Sequence, residues 1–121
     1  MSPGRRFAEA LASKDTGVLR RVLADDVDFR GLTPGKAWEG SGPDSVIEAA
    51  LGSWFGPGDD ILELLSVVDG DRVGDTDRVA YRVLVRNRGG DHHVEQQAYY
   101  RARDERIAFL RVLCSGYRPL G

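Results

Sequence analysis

ILELLSVV at 61–68, VAYRVLVRN at 79–87, HVEQQAYYRAR at 93–103 and IAFLRVLCS at 107–115 are the stretches whose reading decides the fold. Each alternates apolar with polar residues over a strand's length. They are divided by Asp69-Gly70-Asp71, by Arg88-Gly89-Gly90-Asp91 and by Asp104-Glu105-Arg106, which are turn chemistry at or near hairpin length. The second half of the chain is therefore read as an antiparallel meander.

Upstream, the apolar spacing changes to that of helices. Pro3 sits in a first turn ahead of Phe7, Ala10 and Leu11. Asp15 is placed to cap a second helix with Val18, Leu19, Val22 and Leu23 on one face. Val27 to Gly31 alternates as a short strand, Thr33-Pro34-Gly35-Lys36 has the residues of a type II turn, and Trp38-Glu39-Gly40 returns. Pro43 then opens a third helix carrying Val46, Ile47, Ala50, Leu51 and Trp54, stopped at Gly56-Pro57-Gly58. The sum is an α+β chain, with three N-terminal helices packed in a strongly curved, mainly antiparallel six-stranded sheet.

Composition bounds the function. The 121 residues fit one domain, 1–121, and 41% hydrophobic with 30% charged residues is the content of a globular protein. A net charge of −2 gives no general attraction for nucleic acid or for membrane surfaces, and no apolar run approaches the roughly 20 residues of a membrane span. Cys114 is the only cysteine, so no intrachain disulfide and no zinc-finger spacing are expected. Without an apolar leader the expected setting is cytoplasmic. No cofactor motif is present.

Strand parity assigns side chains to faces. Val79, Tyr81, Val83 and Val85 share one face with Val94, Gln96, Ala98, Tyr100 and Ala102, and with Ala108, Leu110, Val112 and Cys114. The opposite face takes Arg82, Arg86, Tyr99, Arg101, Ile107, Phe109 and Leu113. The inner wall is aliphatic apart from Tyr81, Gln96 and Tyr100, with Thr33 and Trp38 at its rim. Thr33, Trp38, Trp54, Tyr81, Val83, Val85, Gln96, Ala98, Tyr100, Leu110 and Val112 are thus the expected pocket lining. Tyr81, Gln96 and Tyr100 either meet a ligand or satisfy one another and the helix backbone.

Other candidates have plainer readings. His92-His93 supplies the default general base, yet lies at a hairpin end where adjacent side chains point to opposite faces. Asp28 and Arg30 alternate away from Phe29 and so point outward. The Trp54-Phe55 pair is a pocket lid or a core anchor, and Cys114 is a small buried hydrophobe. Apolar residues among the arginines of the outer face favour a homodimer over nucleic acid.

The order of these elements, with Leu23-Ala24-Asp25-Asp26-Val27, Trp38-Glu39-Gly40…Gly42-Pro43-Asp44 and Asp104-Glu105-Arg106-Ile107, resembles the nuclear transport factor 2-like superfamily and its SnoaL-like branch. The resemblance covers nearly the whole chain and implies a cystatin-like cone around an apolar cavity, commonly in a dimer, hosting many functions. It also implies where catalytic groups would stand. The aspartate of steroid-isomerase-like members falls at Gly31, their helix-borne tyrosine at Phe7 and their second acid at Gln96. The inward Asp-Arg-Asp set of limonene-epoxide-hydrolase-like members falls at Val83, Val85 and Val112. Both sets are missing. The expected function is binding of an apolar small molecule. The alternatives are a SnoaL-like enzyme (polyketide cyclase, isomerase or dehydratase type) working through Tyr81, Tyr100 or an inward His93, and a dimeric interaction module with a filled cavity.

Overall fold

The computed structural model describes residues 1–120. Helix α1, Pro3–Ala12, begins where the Ser2 hydroxyl accepts from the Arg5 amide at 3.0 Å, with Pro3 at a position that needs no donor. Helix α2, Thr16–Val22, is capped in the same way by Asp15, whose carboxylate accepts from the Val18 amide at 3.0 Å. It runs directly into β1, Leu23–Thr33, longer than the short strand the sequence predicts. Strand β2 is Lys36–Ser41, reached through a turn in which Gly35 has φ of +78°.

The third helix follows this hairpin, so it is not grouped with the first two at the N-terminus. It has two parts: α3, Pro43–Ile47, widens into a π-helical segment, Glu48–Trp54. Wider turns of this kind recur where a side chain is displaced toward a functional site. Here the segment delivers Trp54 and Phe55.

Strands β3 (Asp60–Asp69), β4 (Asp77–Asn87), β5 (Gly90–Arg103) and β6 (Arg106–Cys114) form the meander, and β7 is the two-residue Arg118–Pro119. The sheet has seven strands rather than six. Its order is β2-β1-β6-β5-β4-β3, with β7 pairing β5, and the β1–β6 contact is parallel while the rest are antiparallel. Two hairpins close in two residues, Arg88-Gly89 and Asp104-Glu105, the latter with both φ positive at 54° and 63°. The first turn, between Asp69 and Asp77, is longer than its Asp-Gly-Asp signal, and β4 begins at Asp77, two residues ahead of the Val79 that the sequence predicts.

Parity holds along β4 and through most of β5. Val79, Val85 and Ala98 are fully buried, and Tyr81, Val83, Val94, Gln96 and Tyr100 nearly so. It fails in one place. Between Arg101–Phe109 and Ala102–Ile107 the pairing skips Ala108, so β6 carries a bulge. The extra residue inverts the alternation of β6: Ile107, expected outside, is fully buried, opposite Ala102, which keeps its expected face but is exposed near the end of β5. Helix α1 lies across β3 to β6, and Phe7 and Leu11, fully buried, fill the concave face above Tyr81 and its neighbours. At the other end of the sheet, beneath the β1–β2 turn, only the end of the π-helical segment reaches.

Candidate functional site

That uncovered end holds a cavity of about 400 Å³. Four segments meet there. The β1–β2 hairpin gives Thr33, Pro34 and Trp38, the end of the π-helical segment gives Ser53, Trp54 and Phe55, and β5 gives Val94. The last turn of β6 and the tail beyond it give Cys114, Ser115, Gly116, Tyr117 and Arg118.

Two aromatic pairs make the walls. Trp38 and Trp54 meet edge to face with centroids 6.0 Å apart at 88°, and Trp54 also tilts against Phe29 at 5.9 Å. Phe55 and Tyr117 are 6.2 Å apart. Such pairs contribute about 0.5–1.5 kcal/mol each beyond the area they bury, which stiffens the walls. Gly31 explains how Trp54 fits: a Cβ built there would stand 2.8 Å from the indole Cζ2. The place where the family resemblance puts a catalytic carboxylate is thus taken by an indole ring.

The tail is tied down as the fourth side. Gly116 has φ of +76°, and a Cβ there would stand 2.7 Å from Cγ of Pro34. The Tyr117 hydroxyl donates to the Trp54 carbonyl at 2.7 Å, and its ring packs on His92 at 5.5 Å. Burial, followed by the nearby Asp59 carboxylate, raises the Tyr117 pKa, so the phenol stays protonated near neutral pH. Strand β7 then pairs with His92 and His93.

Of the residues expected to line a pocket, Thr33, Trp38 and Trp54 stand around this cavity. Val112, 3% exposed, belongs to the core cluster instead. Tyr81, Val83, Val85, Gln96, Ala98, Tyr100 and Leu110 are packed in the core beneath the helices, each at most 2% exposed. The Tyr81 hydroxyl donates to Gln96 Oε1 at 2.7 Å, leaving Gln96 Nε2 without a partner. Burial raises the Tyr81 pKa strongly. Tyr100 is separate from this pair: its ring presses on Gly4 in the first turn of α1, and burial raises its pKa too. Gln96 lies directly opposite Cys114 in the β5–β6 register and two residues from Val94 on the same face. It therefore sits just behind the cavity wall.

The other candidates are placed as plainly. Asp28 and Arg30 are exposed, and Asp28 pairs with Arg111 at 3.3 Å. The inward histidine is His92, not His93, because β5 begins at Gly90 and even-numbered positions face the core. Its Nδ1 is 3.1 Å from the Gly90 carbonyl. It lies four residues along β5 from Gln96, the residue opposite Cys114, so the two are not cross-strand neighbours. Cys114 is half-buried rather than sealed in the core. Among the described residues no group of three or more His, Cys, Asp or Glu is arranged to hold a metal.

Sequence reasoning missed the tail. The signal was Ser115-Gly116-Tyr117: a strand breaker followed by an aromatic that needs a place to bury.

No protein-family model matches the chain, and no curated protein matches it in sequence. Solved structures do match in shape. A Mesorhizobium loti protein assigned as a SnoaL-like polyketide cyclase is 17% identical with a TM-score of 0.67, over 91% of this chain and 94% of its own. A Bacillus subtilis protein assigned as an isomerase is 12% identical with a TM-score of 0.74, over 92% and 82%. An epoxide hydrolase of M. tuberculosis, similar to limonene epoxide hydrolase, is 13% identical with a TM-score of 0.65, over 93% and 80%. Identities this low speak for the fold alone, and three different reactions share it. The fold of this chain is the one these solved structures share, as the likeness to SnoaL-like proteins in the sequence led one to expect.

Proposed function

We propose that the protein binds a small, largely apolar molecule in the cavity between Trp38, Trp54, Phe55 and Tyr117. The observation that carries this reading is the lining itself. About 400 Å³ lies within the range of small-ligand sites, and the walls are aromatic with a few polar groups. No Asp, Glu or His is among the lining residues, so the site has the means to hold a molecule and lacks an evident proton acceptor. The phenols named for the enzyme alternative are bonded elsewhere: Tyr81 to Gln96, Tyr100 against α1. A merely filled cavity would leave nothing to detect in solution.

The protein carries its own reporter. Trp38 and Trp54 are its only two tryptophans, and both line the cavity. Titration with an uncharged bicyclic aromatic such as naphthol is expected to quench most of the tryptophan emission in a saturable manner. The quenching is expected to weaken at least tenfold in a Tyr117→Ala variant that still folds by circular dichroism. Unsaturable, collisional quenching that is the same in both proteins would defeat the proposal.

We propose in addition that two copies associate through the outer face of the sheet. Leu32, Leu113 and Tyr99 are 52%, 49% and 38% exposed there, beside a Phe109 ring held between the Arg101 and Arg111 guanidiniums at 4.1 and 3.9 Å. A cytoplasmic setting fits the single free thiol of Cys114. No helix among the described residues is long and apolar enough to cross a membrane.

A further inference from the structure

The groups around the cavity divide into rings and polar atoms already committed to the protein. The Thr33 hydroxyl accepts from Trp38 Nε1 at 2.8 Å and donates to the Lys36 carbonyl at 3.3 Å. The Ser115 hydroxyl accepts from the Glu95 amide at 2.9 Å and donates to the Gly116 carbonyl at 2.8 Å. The Tyr117 hydroxyl donates to the Trp54 carbonyl, and Cys114 Sγ accepts from the Gly116 amide at 3.4 Å. Ser53 is open to water. Trp54 Nε1 has no partner, but the atom is itself buried and does not open onto the cavity. What the lining chiefly offers a ligand is therefore the four rings of Trp38, Trp54, Phe55 and Tyr117.

One of these rings already holds a cation. The Lys36 ammonium stands 3.9 Å from the centroid of the Trp38 ring. The face of an aromatic ring is the negative side of its quadrupole, and tryptophan attracts cations most strongly. Arg118 brings no competing charge inward: it stands opposite the outward His93 in the β5–β7 register, and opposite residues share a face. Charge beside the cavity has the complementary sign, since Glu39 and Glu48 line a smaller groove that shares Trp38 and Ser53 with it. Both carboxylates are exposed and screened, so they bias the approach of a cation rather than hold it.

The committed hydroxyls leave little for N–H groups to bond, which favours a cation that has none. Resting on the ligand-pocket reading above, we infer that the cavity selects a quaternary ammonium with an apolar body. Its alkylated nitrogen packs among the four rings, against Trp38, and the body fills the remaining space. Lys36, exposed on a flexible stem, withdraws into water as the ligand enters.

The test compares phenyltrimethylammonium with its uncharged isostere tert-butylbenzene, each displacing naphthol as followed by tryptophan emission. The ammonium is expected to bind about 5- to 30-fold more tightly, the range of a cation–π contact in a partly desolvated site. The preference is expected to persist at about 0.5 M salt, where the pull of exposed carboxylates is screened. In Trp38→Leu it is expected to fall by at least half. Equal binding of the two probes by the native protein would overturn the inference and leave the pocket standing. So would a preference abolished by salt, which would belong to the carboxylates, or one undiminished in Trp38→Leu. If naphthol binds and neither probe displaces it, the inference falls alone. If naphthol itself fails to bind, the pocket reading falls and takes the inference with it.

Discussion

Gly31 shows how one missing side chain decides what the cavity contains. Its neighbours in β1, Phe29 and Leu32, alternate normally, so nothing about the strand itself asks for glycine. The demand comes from across the fold, where the Trp54 ring lies within 2.8 Å of a hypothetical Cβ. That ring has little room to retreat, being packed on Phe29 and Trp38 at centroid distances of 5.9 and 6.0 Å. Gly31→Ala is therefore expected to destabilise the fold by about 1–3 kcal/mol, the usual cost of overpacking. It should also shift the tryptophan emission, because the indole must move. Urea denaturation and emission spectra of the two proteins check this, and an unchanged midpoint would show that the ring is free to swing. From the sequence, Gly31 was legible only as an absence of the carboxylate that the resemblance implied. That an indole takes the space depends on a residue 23 positions later, and no local pattern reports such a contact.

Elements fared according to how local their causes are. The Pro3 start of α1, the Asp15 cap, the Pro34-Gly35 turn and the alternation of β4 depend on near neighbours, and each was read from residues in sequence. The bulge at Ala108 depends on how β6 registers against β5, so alternation carried the reading past it and put Ile107 on the wrong face. The parallel pairing of β1 with β6 joins residues such as Gly31 and Val112, far apart in the chain, and has no local signature. The turn after β3 is a further case. Asp69-Gly70-Asp71 looks like a tight hairpin, yet the chain runs on to Asp77, with Val73 and Thr76 bridged. Arg72 closes this loop by donating two hydrogen bonds to Asp77, both at 2.9 Å. Those bonds hold the Asp77 carboxyl below its ordinary value of 3.8. A carboxyl depressed in the folded state stabilises the fold above its unfolded pKa, about 3.9, and loses that contribution as pH falls through the folded value. Since Arg72 is 62% exposed, the contribution is small, about 0.2–1 kcal/mol. Asp77→Asn should then be less stable than the native protein by that amount at neutral pH. The gap should narrow steadily below about pH 4, as followed by urea midpoints. A gap independent of pH would mean that Asp77 acts through packing instead.

At the scale of the whole molecule, the two faces of the sheet have different occupants. The concave face is covered by α1 and, past the helix, opens into the aromatic cavity. The convex face has no covering element, yet Leu32, Leu113, Tyr99 and the arginine-clamped Phe109 lie together on it, within reach of a groove formed with Arg30 and Arg111. Burial of Ile107 removes one residue from the apolar set expected there, and Leu32 at 52% exposure replaces it. An isologous contact would set each Leu113 and Tyr99 near its symmetry mate and let the arginine–phenylalanine stacks close at the rim. It would need to bury at least about 1,000 Å² in total to persist at micromolar concentration. Light scattering is expected to give twice the chain mass of 13.3 kDa for the native protein. Leu113→Asp, which sets two carboxylates against each other across the axis, is expected to give the monomer with its circular dichroism unchanged, since Leu113 is 49% exposed and does not support the core. A monomer in the native protein would contradict the association. If Leu113→Asp remained a dimer, the association would have to use another face, such as the exposed Leu62, Leu65 and Val68 of edge strand β3.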